Sequence, residues 1–157
     1  MKYILLLLVS CSLAHAQDFS LSSAFHMNGQ SSYVGGTLSA NVMTWNNRKV
    51  ILRGVLSYLS GATTMHGAGS QAAQRIEIGV ESKNTMITGK WIFNVMDASY
   101  AFSNSTGNPS RGMPDVRESG FMFGLGLGTR IAAPVSIVGK YVTGRDNGVR
   151  LVLEVDF

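Results

Sequence analysis

The chain has 157 residues, a length suited to one domain rather than two. Charged residues make up 14% of it, against about 25% in an average soluble protein, so much of the surface is expected not to meet water. The 13 Lys and Arg residues only slightly outnumber the 9 Asp and Glu residues and are spread along the sequence. We therefore expect no nucleic-acid partner.

The first residues have the pattern of an export signal. Residues 3–9 form an apolar run that is too short to cross a bilayer as a helix, and Ala14-His15-Ala16 follows as an A-x-A cleavage site. We predict a cleavable signal peptide over 1–16, cut between Ala16 and Gln17, and a mature domain over 17–157. An alternative is a lipobox ending at Cys11, which would leave a lipidated first residue.

After the signal, alternating segments recur along the chain. Period-2 alternation of apolar and polar residues is typical of β-strands, and strands of about 9–11 residues can cross the apolar layer of a membrane. Gly, Ser or Asn interrupts every apolar run, which excludes a helical membrane span. Eight strands are predicted, at about 18–27, 32–45, 49–60, 71–82, 85–101, 120–131, 135–143 and 149–157.

If the eight predicted strands close into a barrel, the connections at its two ends differ in length. Those on the side of the chain termini are short, at 46–48, 83–84 and 132–134, whereas the opposite side has the long loops 61–70 and 102–119. Short periplasmic turns and longer extracellular loops are the rule in outer-membrane barrels. The turn 146–148 contains Asn and Gly, which adopt positive φ at low cost.

The two faces of the predicted strands differ in chemistry. One face carries large apolar side chains, as at Leu21, Phe25, Trp91, Phe93 and Val95, and the other carries small ones. Small side chains suit a narrow interior, so we predict that the apolar face meets lipid. Three aromatic residues are out of phase with this face: Trp45, Tyr100 and Phe102. A β-bulge or a strand that projects beyond the lipid would explain each.

The inward register collects the charged side chains. Because an eight-stranded barrel is only wide enough for its side chains to fill it, these charges are expected to pair across the lumen. The alternative is a narrow, weakly selective pore. The predicted ion-pair network comprises Arg53, Arg75, Glu77, Glu81, Lys90, Arg130, Lys140, Arg150 and Glu154, with Asp18 and Asp156 nearby.

The last segment, Val149 to Phe157, alternates strictly and ends on an aromatic residue. Together with Gly-Phe-Met-Phe-Gly-Leu-Gly-Leu-Gly from residue 120, it resembles the closing strands of the OmpA/OmpX-like superfamily of small outer-membrane β-barrels. The resemblance implies that Leu153, Val155 and Phe157 belong to a signal for the barrel-assembly machinery. It covers the barrel alone, so the peptidoglycan tether of OmpA is not implied.

This resemblance predicts an all-β fold: an eight-stranded antiparallel transmembrane up-and-down β-barrel in the bacterial outer membrane, reached through the periplasm. It also implies contact with outer-membrane lipid and lipopolysaccharide. A structural or adhesin-like role is expected, with loops 61–70 and 102–119 as contacts for a host or other surface ligand.

An enzymatic function is the interpretation that this sequence supports least. Some small outer-membrane barrels modify lipid A with His, Ser and an acid, and in the deacylase pattern His-x-Ser stands on one strand. Here His26 is followed by Met-Asn and His66 by Gly-Ala, so the signature is absent. The two histidines stand apart and the only cysteine leaves with the signal, so neither a metal site nor a cofactor is predicted. We predict that the protein is not an enzyme.

Overall fold

The computed structural model describes residues 19–45, 49–65, 69–85, 91–107 and 114–157. The predicted cleavage site at Ala16 and Gln17 lies outside these residues, as do Asp18, His66 and Lys90. Within the described ranges, no helix is long and apolar enough to cross a bilayer. The strands are β1 (Phe19–Met27), β2 (Ser31–Trp45), β3 (Val50–Met65), β4 (Gly69–Asn84), β5 (Ile92–Ser105), β6 (Val116–Ala132), β7 (Val135–Gly144) and β8 (Gly148–Asp156).

The eight strands form one closed sheet. Each strand pairs antiparallel with the next in sequence order, and β8 pairs with β1 to complete the barrel. Closure leaves no edge strand among the described strands, because each of them pairs with a neighbour on both sides. The predicted all-β, eight-stranded antiparallel up-and-down barrel is confirmed.

Two predicted loops are partly strand. β3 and β4 remain paired from Val50 and Asn84 up to Met65 and Gly69, so the prediction of a long loop at 61–70 was wrong. Likewise β5 and β6 pair as far as Ser105 and Val116, which shortens the predicted loop 102–119 to residues 106–115. Composition misled here because Gly, Ala, Ser and Thr favour loops in isolation but pair readily as the continuation of existing strands.

The β4–β5 connection also differs from the prediction. Lys83 and Asn84 were predicted as a short turn, but both belong to β4, and the connection covers residues 85–91. Their backbone pairs with Ile51 and Val50 on one side, and Asn84 pairs with Asn94 on the other. Continued pairing on both sides outweighs the turn preference of the Lys-Asn pair.

A β-bulge explains the misplaced aromatic of β2. Asn41 pairs with Arg53 and Met43 with Leu52, so Val42 is the additional residue. A bulge reverses the alternation beyond it, which leaves Trp45 exposed on the outer side. Of the two explanations for Trp45, the bulge is confirmed.

At the start of β5, the residues that face the lumen are the ones that were predicted to face lipid. Phe93 and Val95 are buried in the barrel, whereas Tyr100 and Phe102 face outward. The reason lies in β6, where glycines oppose the large inward residues: Phe93 pairs with Gly128, Val95 with Gly126 and Asp97 with Gly124. A Cβ on Gly128 would overlap the Phe93 ring. The phase is therefore set by volume inside the barrel rather than by hydrophobicity.

Candidate functional site: the lumen and its extracellular mouth

The outside of the barrel is apolar. Among the outward positions of the described strands, Arg117 is the only charged residue. Such a surface is costly in water and matches the hydrocarbon of a membrane. Exposed apolar side chains on all eight strands include Phe19, Leu21, Phe25, Val34, Leu38, Leu56, Ile76, Ile78, Val80, Met96, Phe123, Leu125, Leu127, Ile137, Leu151 and Leu153.

Aromatic side chains mark both ends of this apolar band. At one end Phe19 stacks on Phe157, with ring centroids 5.1 Å apart. At the other, Tyr100 lies edge-on to Phe102 and Phe121, at 4.9 and 5.0 Å. Aromatic girdles of this kind lie at the two membrane–water interfaces. The band between them is the membrane-embedded part of the barrel.

The orientation follows from the connections. The longest one, residues 106–115, lies at the end opposite Phe19 and Phe157. Because outer-membrane barrels carry their long loops outside, the end with Phe19 and Phe157 is periplasmic. The asymmetry is smaller than the sequence predicts, since the periplasmic connection 85–91 has seven residues.

A first charged cluster, the inner cluster, fills the periplasmic half of the lumen. Arg53 contacts Glu154 and donates to the Asp156 carboxylate at 3.0 Å. The Lys83 ammonium lies 3.2 Å from Glu154 and 4.3 Å from the centre of the Phe93 ring. These contacts join β3 and β4 to β8, which is a neighbour of neither strand in the sheet.

Lys140 extends the inner cluster toward the middle of the barrel. Its ammonium donates to Glu81 at 2.7 Å and to Asp97 at 2.6 Å. Gly124 and Gly126 of β6 leave the space for these groups, since a Cβ on either would overlap Asp97 or Lys140. The small residues of β6 thus make room for a buried ion pair.

A second group, the outer cluster, lies nearer the extracellular end. Arg150 of β8 donates two hydrogen bonds of 2.7 Å to the two oxygens of Glu77 on β4. Arg75 lies 3.6 Å from Glu77, contacts Asp146 and stacks 4.3 Å above the Tyr33 ring. The two-pronged geometry of Arg150 and Glu77 is the strongest form of ion pair available to these side chains.

Little space remains between the two clusters. The central cavity has a volume of about 30 Å³ and is lined by residues of both clusters together with Ser22, Ser57 and Val152. A cavity of this size has room for a few water molecules at most. The middle of the lumen is therefore filled by side chains.

The extracellular mouth is open by contrast. A polar cavity of about 440 Å³, termed the vestibule, lies above the outer cluster. Arg145 crosses its rim, where it contacts Glu118 and donates to Ser103 at 2.7 Å. The vestibule is lined by Asn28, Gln30, Ser31, Tyr33, Thr63, Thr64, Ala73, Ser103, Ser105, Val116, Glu118, Arg145 and Asp146.

Gln71 lies at the level of the vestibule, paired through its backbone with Thr63. Its side chain is almost fully buried, at 3% exposure. Within the described residues neither the amide oxygen nor the amide nitrogen has a hydrogen-bond partner. An unsatisfied buried amide costs about 1–3 kcal/mol.

Seven of the nine residues predicted for the ion-pair network lie buried in the lumen and contact one another: Arg53, Arg75, Glu77, Glu81, Lys140, Arg150 and Glu154. Lys90 lies outside the described residues. Arg130 lies at the edge of the network, because its side chain is 42% exposed at the periplasmic rim, 3.9 Å from Asp156. The register shift between Arg130 and Ala132 ends regular pairing there and leaves Arg130 beside the opening.

Sequence reasoning missed three members of the two clusters. Lys83 was assigned to a turn, Asp97 to a strand of the wrong phase, and Asp146 to the β7–β8 turn. The inward position of Asp97 could have been inferred from Gly124-Leu-Gly-Leu-Gly128. Inward glycines on one strand leave space that large side chains on the paired strand must fill. No comparable signal exists for Asp146, which reaches Arg75 from a turn.

The described histidine is a poor candidate for catalysis. His26 has no exposed surface, and its neighbours include Tyr33, with ring centroids 6.2 Å apart, and the backbone of Arg150. Neither ring nitrogen has a hydrogen-bond partner in the described part of the chain. A general base requires an orienting partner and access to substrate. The described residues also hold no group of three His, Cys, Asp or Glu side chains able to bind a metal.

A closed barrel of eight antiparallel strands, apolar outside and filled with polar side chains inside, defines the class of small bacterial outer-membrane β-barrels. The predicted OmpA/OmpX-like fold and the predicted outer-membrane location are confirmed. No protein-family model matches the sequence, and no curated protein matches it significantly.

Solved structures resemble this chain in fold. The N-terminal β-barrel domain of Pseudomonas aeruginosa OprF matches with a TM-score of 0.61 and 14% identity, over 90% of this chain and 98% of that one. Ail, the attachment invasion locus protein of Yersinia pestis, matches at 0.54 and 9% identity, over 89% and 95%. Neisserial surface protein A matches at 0.50 and 14% identity, over 89% and 95%. At these identities the likeness concerns the fold.

Proposed function

We propose that this protein is a non-catalytic outer-membrane barrel with a lumen closed by ion pairs, and that it acts by binding a surface ligand at its extracellular end. The observation that carries the proposal is the contrast between the two cavities. The vestibule has about 440 Å³, whereas the centre of the lumen has about 30 Å³. Space for a ligand therefore exists at the extracellular face and not along a path through the barrel.

The chemistry of the vestibule supports a binding role. Its hydroxyls on Ser31, Thr63 and Ser103 and its amides on Asn28 and Gln30 offer many donors and acceptors in a concave surface. A few convergent polar groups in a preformed cavity are typical of binding sites.

The proposal keeps the ligand contacts within the ranges predicted from sequence, 61–70 and 102–119, but assigns them to strand residues that face the vestibule. Thr63, Ser103 and Glu118 lie in those ranges, and Asn28, Tyr33 and Arg145 are among the other lining residues. Ail, which is named for attachment and invasion, and Neisserial surface protein A share the fold. The name of Ail supplies the class of role, attachment, and that of Neisserial surface protein A supplies only a location at the surface.

A cell-attachment assay tests the proposal. A laboratory strain that displays the full-length protein is expected to attach to cultured epithelial cells more than the same strain without it. Arg145→Ala removes the guanidinium that lines the vestibule at its rim and is expected to weaken attachment about tenfold, the effect of losing one charged hydrogen bond to the ligand.

Lys49→Ala is the matched control, since Lys49 is an exposed cation at the periplasmic end. It is expected to leave attachment unchanged. Wild-type attachment by the Arg145 variant, or no gain on display of the unaltered protein, would contradict the proposal.

A further inference from the structure

The vestibule is closed at its base. Tyr33 and Asp146 line it, and both contact Arg75 of the outer cluster beneath it. Below that level the centre of the lumen holds only about 30 Å³. The volume of the vestibule, about 440 Å³, is in the range of cavities that enclose small ligands. A large molecule can therefore place one end in the vestibule but cannot pass through it.

The charges that line the vestibule cancel. Glu118, Arg145 and Asp146 are the charged residues of its described lining. Arg145 is paired with Glu118, and Asp146 is paired with Arg75. A charged ligand would have to break one of these pairs or bring an unpaired charge into the cavity, and either is costly. The ends of peptides and nucleic acids carry ammonium, carboxylate or phosphate groups, whereas the non-reducing end of a neutral glycan carries hydroxyls alone.

The vestibule has spare hydrogen-bonding capacity on two sides. On one side, the exposed side chains of Gln30 and Thr64 make no hydrogen bond within the described residues, and a 2.6 Å backbone hydrogen bond joins these two residues. The Asn28 carbonyl oxygen accepts two backbone amides at 2.8 and 2.6 Å, which leaves its side-chain nitrogen to donate. On the other side, Glu118 uses one carboxylate oxygen for Arg145 and keeps the second as an acceptor. A hydroxyl both donates and accepts, so a ring with several hydroxyls can satisfy both sides.

We infer that the vestibule binds the uncharged, non-reducing end of a glycan on the attached surface. The inference rests on the proposed function, since it names the ligand of the same site. Sugar hydroxyls accept from Asn28 and Gln30, exchange a hydrogen bond with Thr64 and donate to Glu118. A cap of sialic acid or sulfate adds a negative charge to a cavity whose described cations already have acidic partners, so capped glycans are excluded.

A glycan array probed with the labelled full-length protein tests this inference. The protein is held in a detergent without a sugar headgroup, because such a headgroup would compete. The array carries cell-surface glycans in matched pairs, one with a neutral terminal sugar and one capped with sialic acid or sulfate. The protein concentration for half-maximal signal is expected to be at least about tenfold lower on the neutral member. No binding to any neutral glycan, or equal or tighter binding to the capped members, would overturn the inference.

Variants of the spare groups locate the site. Gln30→Ala and Thr64→Ala are each expected to raise the half-maximal concentration about fivefold, because one neutral hydrogen bond is lost. Thr64→Ser keeps the hydroxyl and is expected to bind as the unaltered protein does. Thr129→Ala is the matched control, since Thr129 is exposed near the periplasmic end of β6. The gel mobility of unheated samples establishes that each variant is folded. Unchanged binding by both alanine variants of the vestibule would contradict the assignment.

Treatment of the epithelial cells with sialidase separates this inference from the proposed function. Sialidase uncovers neutral ends and is expected to raise attachment by the strain that displays the protein. Attachment that occurs but does not rise would favour a protein ligand and overturn the inference, while the proposed function would stand. Neutral glycans bound on the array without any attachment to cells would contradict the proposed function and leave the sugar site in place.

Discussion

Individual residues in the lumen are matched by volume across strands. The glycines at 124, 126 and 128 oppose Asp97, Val95 and Phe93, so each large inward side chain of β5 has a partner without one on β6. The sequence predicts small residues in a narrow lumen, and this was correct for β6. It could not assign the phase of β5, because apolar side chains such as Phe93 are equally acceptable to lipid and to the packed interior.

This matching predicts a specific sensitivity at Gly128. Gly128→Ala places a methyl group on the Phe93 ring, and overpacking of this kind costs about 1–3 kcal/mol. Gly139→Ala is the matched control on the outward side of β7, where an added Cβ meets nothing within 4 Å. The urea midpoint of unfolding from lipid vesicles should fall for the first variant and stay or rise for the second. Equal midpoints would contradict the volume argument.

At the scale of elements, the length of a strand determines which side chains reach the lumen. β4 was predicted to end at residue 82, and its two further residues bring Lys83 into the inner cluster. β3–β6 extend beyond the predicted ends and thereby build the wall of the vestibule. Strand existence follows from alternation in the sequence, but strand ends depend on pairing with neighbours, which a single segment does not reveal.

Assembly of the barrel in cells is expected to depend on Phe157, the residue that follows β8. The Phe157 amide donates to the carbonyl of Phe19 at 2.8 Å, and the two rings stack, which ties β8 to β1 at the periplasmic end. With Leu153 and Val155, Phe157 is proposed as the signal for the barrel-assembly machinery. Deleting Phe157 is expected to lower the amount of folded protein in the outer membrane of cells, measured by blotting membrane fractions run unheated. Undiminished yield would contradict both roles.

On the scale of the whole molecule, the barrel was predictable because alternation, charge shortage and the closing strand all indicate the same architecture. The pairing of charges was predictable in kind, since an eight-stranded barrel has room only for its side chains. The partner of each charge was not predictable, because Arg53 contacts Glu154 and Arg150 contacts Glu77 across the lumen, and these residues are far apart in the sequence. Such contacts depend on shear and closure rather than on local pattern.

The filled centre predicts the electrical behaviour of the molecule. The unaltered protein is expected to give no steady single-channel steps in planar bilayers, because the central cavity holds about 30 Å³. The double variant Glu77→Ala, Arg150→Ala removes both members of one ion pair, so that neither of these two charges is left buried without the other. The smaller side chains should widen the lumen. Steps are then expected from the double variant alone. Reproducible steps from the unaltered protein would support the pore alternative.

The ion pairs have a mechanical consequence. Arg53, Lys140 and Arg150 each bind a carboxylate on a strand that is not adjacent in the sheet, so opposite walls are held at fixed separation. A hollow cylinder deforms by flattening, whereas one braced across its diameter resists this and behaves as a solid rod. Under a pull on the extracellular rim by an attached surface, the wall would then keep its round cross-section, and the load would pass along the strands rather than flatten the barrel.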